Sequence, residues 1–316
     1  MPSVPAALTF VIPAYNAAGT IGETLASVFN CAPVTAGWQL EVVVVDDGSL
    51  DAAALTSIVS SFGGARLVSL ETNQGKLAAV NVGIKASRGD IVVILDADDV
   101  LVPHWEGVLL TILRNWPPEV PVCFSACRNP VGDVTCSEPG YEGLLTLQDM
   151  LNERYSGEYL PIFRGDYIRA RGYVALEGVK ACEALSYLTL LQDGPFWISR
   201  SVLRIYHDRR AGSLSSNWAH QEKALQMVKC YDALFERFAG AYEKLAPRIW
   251  RTKRLRYAVY RRLAGCPGAW RVMAKAAHWE CWREVLGAVL ILLLGRGFAA
   301  ILVSTVKRLG FVRRYG

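Results

Sequence analysis

The feature that most constrains the fold of this chain is a series of short, largely uninterrupted apolar runs in its N-terminal third. These runs predict strands at residues 8–12, 40–45, 66–70 and 91–95. Segments with the apolar spacing of helices lie between them, at residues 17–29, 50–62 and 76–86. Strands that are apolar throughout and alternate with helices indicate a mostly parallel sheet that is covered on both faces.

After residue 100 the pattern is less regular, but it still predicts several elements. Helices are predicted at residues 105–116, 143–152 and 179–191, and strands at residues 121–126, 195–199 and 202–206. From residue 217 onward the chain is predicted to be mostly helical.

Polar side chains follow three of the predicted strands, at the point where each strand ends. They are Tyr15-Asn16, Asp46-Asp47 and Asp96 to Asp99. In open parallel sheets, ligands bind in the crevice beyond the carboxyl ends of the strands. The sequence therefore predicts a ligand site built from these clusters.

The acidic cluster Asp96-Ala-Asp98-Asp99 points to a metal ion. Three carboxylates in so short a segment repel one another, and at the end of an apolar strand they are costly unless a cation is bound. Their hard oxygen atoms suit Mg²⁺ or Mn²⁺, which usually share their coordination with substrate phosphates. The alternative is a solvated acidic turn that caps the following helix, a place where Asp is favoured in any case.

The other clusters and a glycine-containing loop point to a nucleotide. An acid of Asp46-Asp47 can accept a hydrogen bond from a base edge or a ribose hydroxyl, and the ring of Tyr15 can stack on a base. Gly75 allows close approach of a ligand to the backbone, and Lys76 at a helix start suits phosphate. The alternatives are an Asx turn, an ordinary half-buried tyrosine and a simple turn with a helix cap.

In order and spacing, these segments resemble family 2 glycosyltransferases of the GT-A fold. The matching segments are Val11-Ile-Pro-Ala-Tyr-Asn16, Val45-Asp-Asp-Gly-Ser49, Asn73-x-Gly75-Lys76, Asn81-x-Gly83, Gly89-Asp90 and Leu95-Asp-Ala-Asp-Asp99. The resemblance covers roughly residues 8–105 and extends more loosely to about residue 216. It implies a Rossmann-like α/β domain over residues 1–220, with a nucleotide-sugar half (1–105) and an acceptor half (106–220).

The resemblance also implies an inverting transfer of a sugar from a nucleoside-diphosphate sugar. The residues then expected to bind the nucleotide are Pro13, Tyr15, Asp47, Lys76 and Asp96. Asp98 and Asp99 are the expected ligands of Mg²⁺ or Mn²⁺ on the diphosphate, where the metal neutralises the charge that develops on the leaving group.

Inversion requires a base that deprotonates the acceptor hydroxyl as it attacks. In the family this base is commonly the acid in a Glu-Asp pair at a helix start, about a dozen residues before a Gly. Here Cys182-Glu183 precede Gly194 at that spacing, so Glu183 is the expected catalytic base and Cys182 replaces the preceding acid. Glu177 is a nearby rival, and the alternative for Glu183 is a solvated acid favoured by the helix dipole.

A second departure from the family concerns a Tyr-x-x-His segment whose His lies near the diphosphate. Here Arg209 stands at the His position, and His207 lies two residues earlier. Arg209 or Arg210 can meet the diphosphate as a fixed cation, or can lie in a surface loop. The Gln-x-x-Arg-Trp motif of processive synthases is absent, so we expect one sugar to be added per encounter.

The C-terminal region, residues 221–316, is expected to be helical, basic and apolar. Residues 244–316 contain 16 Lys and Arg against two acids, a net +14, whereas the rest of the chain has 18 basic and 27 acidic residues, a net −9. Two uncharged segments, 285–295 and 297–306, flank Arg296, so a single membrane span would place a charge near its centre. A helical hairpin or an in-plane anchor is expected instead, with a buried pair of helices as the alternative.

Together these features predict a non-processive transferase that acts on a glycan or lipid-linked acceptor at the cytoplasmic face of a membrane, without a nucleic-acid partner. The N-terminus lacks the basic segment of a signal peptide, and the scattered cysteines indicate a reducing compartment. The alternatives are a polyprenyl-phosphate sugar synthase and a degenerate sugar-nucleotide-binding protein. A nucleotidyltransferase is disfavoured, because residues 13–19 lack the basic side chains of its phosphate loop.

Overall fold

A computed structural model describes residues 7–30, 38–180, 182–207 and 220–294, together with residues 297 and 301. The chain divides into two units. The first comprises Met1–Leu147 and Tyr155–Arg210, and the second comprises Gln148–Arg154 and Ala211–Gly316. Arg209, Arg210 and Arg296, which the sequence singled out, lie outside the described residues.

The described part of the first unit contains one sheet of nine strands. In chain order the strands are β1 (Ala7–Ala14), β2 (Gln39–Asp46), β3 (Ala65–Ser69), β4 (Ile91–Ile94), β5 (Val100–Leu101), β6 (Val122–Arg128), β7 (Gly143–Leu145), β8 (Tyr159–Arg164) and β9 (Phe196–Ile205). Their order in the sheet is β3-β2-β1-β4-β8-β6-β9-β5, and β7 pairs with β9.

One half of the sheet is parallel and the other half is mixed. Strands β3, β2, β1 and β4 all pair in parallel, with Val11 opposite both Val43 and Ile94. Beyond β4 the strand β8 runs antiparallel to both of its neighbours, and β6 then pairs in parallel with β9. The carboxyl ends of β1, β2 and β4 therefore lie at the same edge of the sheet.

Helices cover both faces of the parallel half. In the first unit the helices are α1 (Ile21–Phe29), α2 (Ala52–Ser60), α3 (Lys76–Ala86), α4 (Trp105–Asn115), α5 (Leu147–Leu151), α6 (Gly165–Arg171) and α7 (Glu183–Leu190), of which α5 continues into the second unit. Phe10 and Val44 share a buried cluster with side chains of α1, α2 and α4, whereas Val43 and Val45 pack against α3. Alternate residues of each strand thus face different helices, which explains why the strands are apolar throughout.

Gly83 sets the distance between α3 and the sheet. A Cβ atom at this position would lie 2.3 Å from Cγ1 of Val11 and 3.1 Å from Cγ2 of Val45. Because real side chains do not approach so closely, a larger residue would push α3 away from β1 and β2. This contact gives a packing reason for the Asn81-x-Gly83 segment.

The predicted α/β fold class is confirmed, and in the N-terminal part the predicted strands and helices form close to their expected bounds. Three later predictions are wrong in detail. Residues 143–152 are not one helix, because Leu144 and Leu145 pair with β9 before α5 begins. The helix predicted at 179–191 begins only at Glu183, since the carbonyl of Lys180 instead accepts the backbone N–H of Lys76.

The strands predicted at 195–199 and 202–206 are one strand, β9. Its pairing with β6 has register shifts between Ser125 and Cys127 and continues on either side of them. Strand β8 was not predicted. It contains Pro161, and a proline inside an apolar run argues against a central strand. In the structure β8 lies between β4 and β6 all the same.

The described part of the second unit is helical, as predicted for this region. Its helices are α8 (Gln221–Leu245), α9 (Pro247–Ala264), α10 (Ala269–Ala276) and α11 (Trp282–Leu293), with a short 3₁₀ helix at Trp279–Cys281. Aromatic contacts join α8 to α9, with Phe235 and Trp250 at 4.6 Å between ring centroids. Leu255, Met273 and Leu292 belong to a second buried cluster that joins α9, α10 and α11.

Across the part of the chain that the structure describes, no helix has both the length and the apolar character that a bilayer span requires. Of the first uncharged segment noted in the sequence, residues 285–293 form most of α11. Most of the segment 297–306 lies outside the described residues.

Candidate functional site

The loops that follow β1 and β2 are tied together at the edge of the sheet. The backbone N–H of Asp47 donates to the carbonyl of Ala14 at 2.8 Å, and that of Asn16 donates to Oγ of Ser49 at 2.9 Å. Between these loops the ring of Tyr15 is 45% exposed. The structure therefore leaves this ring accessible to a planar ligand, whereas Pro13 is buried within β1.

Asp47 fixes the loop that leads into α3. Its two carboxylate oxygens accept the backbone N–H groups of Gln74 at 2.7 Å and of Gly75 at 2.9 Å. Burial raises the pKa of Asp47, although these two hydrogen bonds act in the opposite direction. Gly75 has a φ of +97°, and a Cβ atom there would lie 2.9 Å from the carbonyl oxygen of Val179, so glycine is required.

Lys76, at the start of α3, joins two of the residues that the sequence singled out. Its Nζ lies 2.7 Å from Oδ1 of Asp96 and 3.2 Å from Oε1 of Glu183. Burial alone would lower the pKa of Lys76, but the two carboxylates outweigh it and hold that pKa well above its usual value. The structure thus brings Asp96, which follows β4, next to Glu183 at the start of α7, although the two are far apart in the sequence.

Arg204 is a component of the site that the sequence analysis missed. It lies on β9 and is only 3% exposed. Its Nη1 lies 3.1 Å from Oδ2 of Asp99 and 3.4 Å from Oδ2 of Asp96, and its Nη2 lies 3.4 Å from Oε2 of Glu158. The available signal was a charged residue inside the apolar run 202–206. A buried charge of this kind is found almost only where opposite charges face it.

Asp99 is enclosed by this arrangement. The carboxylate is 1% exposed, faces Arg204, and accepts the backbone N–H of His207 at 2.9 Å. Burial raises the pKa of Asp99 to about 7, against the lowering effect of Arg204 and with a further increase from Asp96. Its role as a metal ligand stays a prediction, and the contacts in the structure are those of a buried acid that anchors its segment.

The donor set of the acidic cluster fits a metal ion that shares its coordination with a ligand. No three His, Cys, Asp or Glu side chains of the described residues are grouped to enclose a metal by themselves. Mg²⁺ is usually held by one or two carboxylates and completed by phosphate oxygens and water. Asp98 is half-buried, between Asp96 and the enclosed Asp99, and can supply such a carboxylate.

The balance of charge at this edge also favours a cation. Asp96, Asp99, Glu158 and Glu183 provide four carboxylates, and Lys76 and Arg204 provide two cations. The two cations offset half of these carboxylates, and burial raises the pKa of Glu158, which disfavours its charged form. A divalent ion on the ligand side would offset the remainder.

The rivals of Glu183 are placed differently. Glu177 is exposed on the loop before α7 and Cys182 is the residue that precedes the helix, whereas Glu183 contacts Lys76 inside the site. The ring of His207 lies near Asp99, with 3.7 Å between Nδ1 and Oδ1.

The fold and the site define an α/β protein with acidic side chains at the carboxyl ends of parallel strands, the usual place for a nucleotide. A family model described as "Glycosyl transferase family 2" matches residues 9–140, which include most of β1, all of β2 to β6 and the acidic cluster. Over residues 9–140 the chain therefore matches this family, as the motif spacing predicted.

Two curated relatives and a solved structure illustrate the similarity. Succinoglycan biosynthesis protein ExoO of Rhizobium meliloti is 41% identical over 96 residues, 30% of this chain and 26% of the relative. Undecaprenyl-phosphate 4-deoxy-4-formamido-L-arabinose transferase of Pseudomonas aeruginosa is 35% identical over 239 residues, 72% of this chain and 63% of the relative. The chain therefore spans less than two thirds of the length of these relatives.

The solved structure is mannosyltransferase PcManGT of Pyrobaculum calidifontis in complex with GDP-Man and Mn²⁺. It matches with a TM-score of 0.55 and 20% identity, and covers 99% of this chain and 82% of the other. At this level of identity the similarity supports the fold alone.

Proposed function

We propose that this protein is an inverting glycosyltransferase that moves one sugar from a nucleoside-diphosphate sugar to a hydroxyl group of a glycan or lipid-linked acceptor. The observation that carries the proposal is the bridge formed by Lys76 between Asp96 and Glu183. It places the acid assigned to the ribose next to the acid assigned to the acceptor. Residues 1–220 would form the catalytic part, with donor-binding and acceptor-binding halves that meet at this bridge.

On the donor side, the exposed ring of Tyr15 would stack on the base at the end of β1. Each carboxylate oxygen of Asp47 accepts one backbone N–H and keeps a second lone pair, through which Asp47 would contact the base. Asp96 would accept from the ribose hydroxyls while Lys76 and Arg204 keep it ionised. Pro13, buried in β1, would act through the course of the backbone rather than by side-chain contact.

Asp98 would hold Mg²⁺ or Mn²⁺ together with the diphosphate oxygens, and Asp99 is the second predicted ligand. When bound, this ion neutralises charge on the departing diphosphate. Arg204 would hold the Asp96–Asp99 segment in place, because its guanidinium contacts the carboxylates at both ends of that segment.

Glu183 would take the proton from the acceptor hydroxyl at a carboxylate oxygen as the hydroxyl attacks the sugar. The ammonium group of Lys76 lies 3.2 Å from Oε1 of Glu183 and helps to hold this carboxylate in place. Lys76 would also screen Glu183 from the negative charge of Asp96, which lies on the other side of the same ammonium group.

A polyprenyl-phosphate acceptor is the second candidate, because the relative named as an undecaprenyl-phosphate transferase aligns with 72% of this chain. A lipid-linked or polyprenyl-phosphate acceptor would place the reaction at a membrane, and we propose the cytoplasmic face. We therefore also propose peripheral membrane contact through residues 221–316 and no nucleic-acid partner.

The test is a screen of nucleoside-diphosphate sugars for slow donor hydrolysis with Mn²⁺ or Mg²⁺, followed by transfer to undecaprenyl phosphate and to glycan acceptors. One donor should be hydrolysed in the presence of metal, and Asp98→Asn should abolish this. Glu177→Gln is the matched control for Glu183→Gln, and it should leave transfer intact. Turnover of every donor at the background rate, with all acceptors present, would contradict the proposal.

A further inference from the structure

The second unit exposes a stripe of large apolar side chains along the 3₁₀ helix and α11. Its members are Trp279, Trp282, Leu286, Leu290 and Leu293. They recur at intervals of three and four residues, which places them on one side of the helix. Trp279 is 77% exposed, Trp282 60% and Leu293 67%, so these are not the edges of buried side chains.

This stripe is separate from the face that packs inside the unit. Cys281, Ala288 and Leu292 lie in the cluster shared with α9 and α10. Helix α11 therefore has one apolar face satisfied by the protein and an adjoining apolar face in contact with solvent. Soluble surfaces rarely carry contiguous exposed apolar patches that serve no contact.

Basic side chains accompany the stripe. Arg271, Lys275 and Arg283 are exposed on α10 and α11, beside two exposed acids, Glu280 and Glu284. The guanidinium of Arg283 lies 5.3 Å from the ring centroid of Trp282. Tryptophan beside arginine or lysine, next to an aliphatic face, is the composition of helices that lie in the interface of an anionic bilayer.

The dimensions of α11 favour a position parallel to the membrane. Its 12 residues extend about 18 Å, well short of the roughly 30 Å of a hydrocarbon core. A shallow hydrophobic depression of about 570 Å³ lies along the stripe, lined by Trp279, Trp282 and Leu286 among others.

We infer that Trp279, Trp282, Leu286, Leu290 and Leu293 form the membrane-binding face of this protein, inserted in the interfacial layer of an anionic lipid surface with α11 parallel to it. The inference rests on the membrane contact included in the proposed function, and it assigns that contact to one face of one helix. The transferase chemistry is not needed for its test.

The experiment measures binding of the full-length chain to phosphatidylcholine vesicles with and without phosphatidylglycerol. The double variant Leu286→Gln/Leu290→Gln should bind the anionic vesicles about tenfold or more weakly, because two half-exposed leucines lose their transfer from water to lipid. The matched control is Leu50→Gln, which changes a leucine that is 91% exposed in the first unit and should leave binding unchanged. Thermal unfolding of both variants checks that the fold is retained.

Quenching by brominated lipid tests insertion directly. Vesicles with brominated chains should quench the fluorescence of the wild-type protein, and Trp279→Phe/Trp282→Phe should lose most of that quenching while still binding. Trp38→Phe, which changes a half-buried tryptophan of the first unit, is the control.

The outcomes separate this inference from the function on which it rests. If the wild-type protein binds no vesicles, the proposed membrane contact fails, and this inference fails with it. If it binds but the leucine variant binds equally well, only the assignment of the face is overturned. If residues 295–316 or a second copy of the chain cover the stripe, brominated lipid would not quench the tryptophans, and the inference would be overturned. Cover by a second copy would also show as a change of oligomeric state in the leucine variant.

Discussion

Replacement of Arg204 by methionine would remove a buried guanidinium that faces Asp96, Asp99 and Glu158 within 3.4 Å. Methionine keeps much of the aliphatic volume but leaves three carboxylates without their shared cation. Loss of one partner from a buried ionic cluster typically costs about 3–5 kcal/mol. We therefore expect Arg204→Met to reduce the free energy of unfolding of the first unit by about that amount.

The loss of stability in Arg204→Met should depend on pH. Burial already raises the pKa of Asp99 to about 7, so the folded state holds the proton more tightly than the unfolded chain does. The stability contributed by this group is therefore full at low pH and declines as pH rises towards 7. Without Arg204 the pKa of Asp99 rises further, so the decline in stability continues to higher pH. The difference in free energy of unfolding between the wild type and Arg204→Met is therefore larger at about pH 8 than at about pH 6.

The assay is hydrogen exchange of β1 and β9 peptides at increasing urea concentration, which reports unfolding of this unit rather than of the whole chain. The matched control is Arg171→Met, which removes an exposed partner of Asp193 at 3.0 Å and should cost less than about 1 kcal/mol. The double variant Arg204→Met/Asp99→Asn should recover part of the loss. A deficit no larger than that of Arg171→Met, or one that does not change with pH, would refute the reasoning.

Three further predictions concern other parts of the first unit. Gly83→Ala should destabilise the unit by about 1–3 kcal/mol, because the new methyl group meets Val11. At Gly107 a Cβ atom would meet no atom within 4 Å, so Gly107→Ala should stabilise α4 by roughly 0.5–1 kcal/mol. Thermal unfolding compares the two variants, and equal shifts of their melting temperatures would contradict this prediction. Burial raises the pKa of Cys127 to about 12, so this thiol should not react with a maleimide at pH 8 until the protein is unfolded. Peptide mass spectrometry measures the labelling, and rapid labelling of the native protein would argue against the buried position. Glu183→Gln should lower the rate of transfer by about 10²–10⁴-fold while donor binding changes little, and pre-steady-state kinetics would show the opposite pattern if Glu183 served only to bind the donor.

The sequence predicted the parallel half of the sheet because its signals there are local. Each strand is a continuous apolar run, each run ends in polar residues, and Gly75 and Gly83 mark places where the backbone or a helix must approach closely. That Lys76 and Asp96 lie at the same edge of the sheet follows from the chain order, because α3 begins after β3 and Asp96 follows the parallel strand β4.

The remaining components of the site depend on pairings that local patterns do not encode. Arg204 meets both Asp99 and Glu158 only because β8 inserts antiparallel beside β4 and β9 returns beside β6. The same limit explains the error at residues 143–152, where leucine spacing typical of a helix is overridden by pairing of Leu144 with Trp197 on β9.

The most direct test of the central claim is a calorimetric titration of UDP, GDP and dTDP with Mn²⁺ into the wild-type protein, Asp98→Asn and Glu183→Gln. We expect that one nucleotide binds the wild-type protein, that Mn²⁺ strengthens this binding, and that Asp98→Asn loses the effect of the metal. Glu183→Gln should bind that nucleotide as the wild type does. Absence of binding for all three nucleotides, with the protein folded, would contradict the assignment of this edge of the sheet as a nucleotide-sugar site.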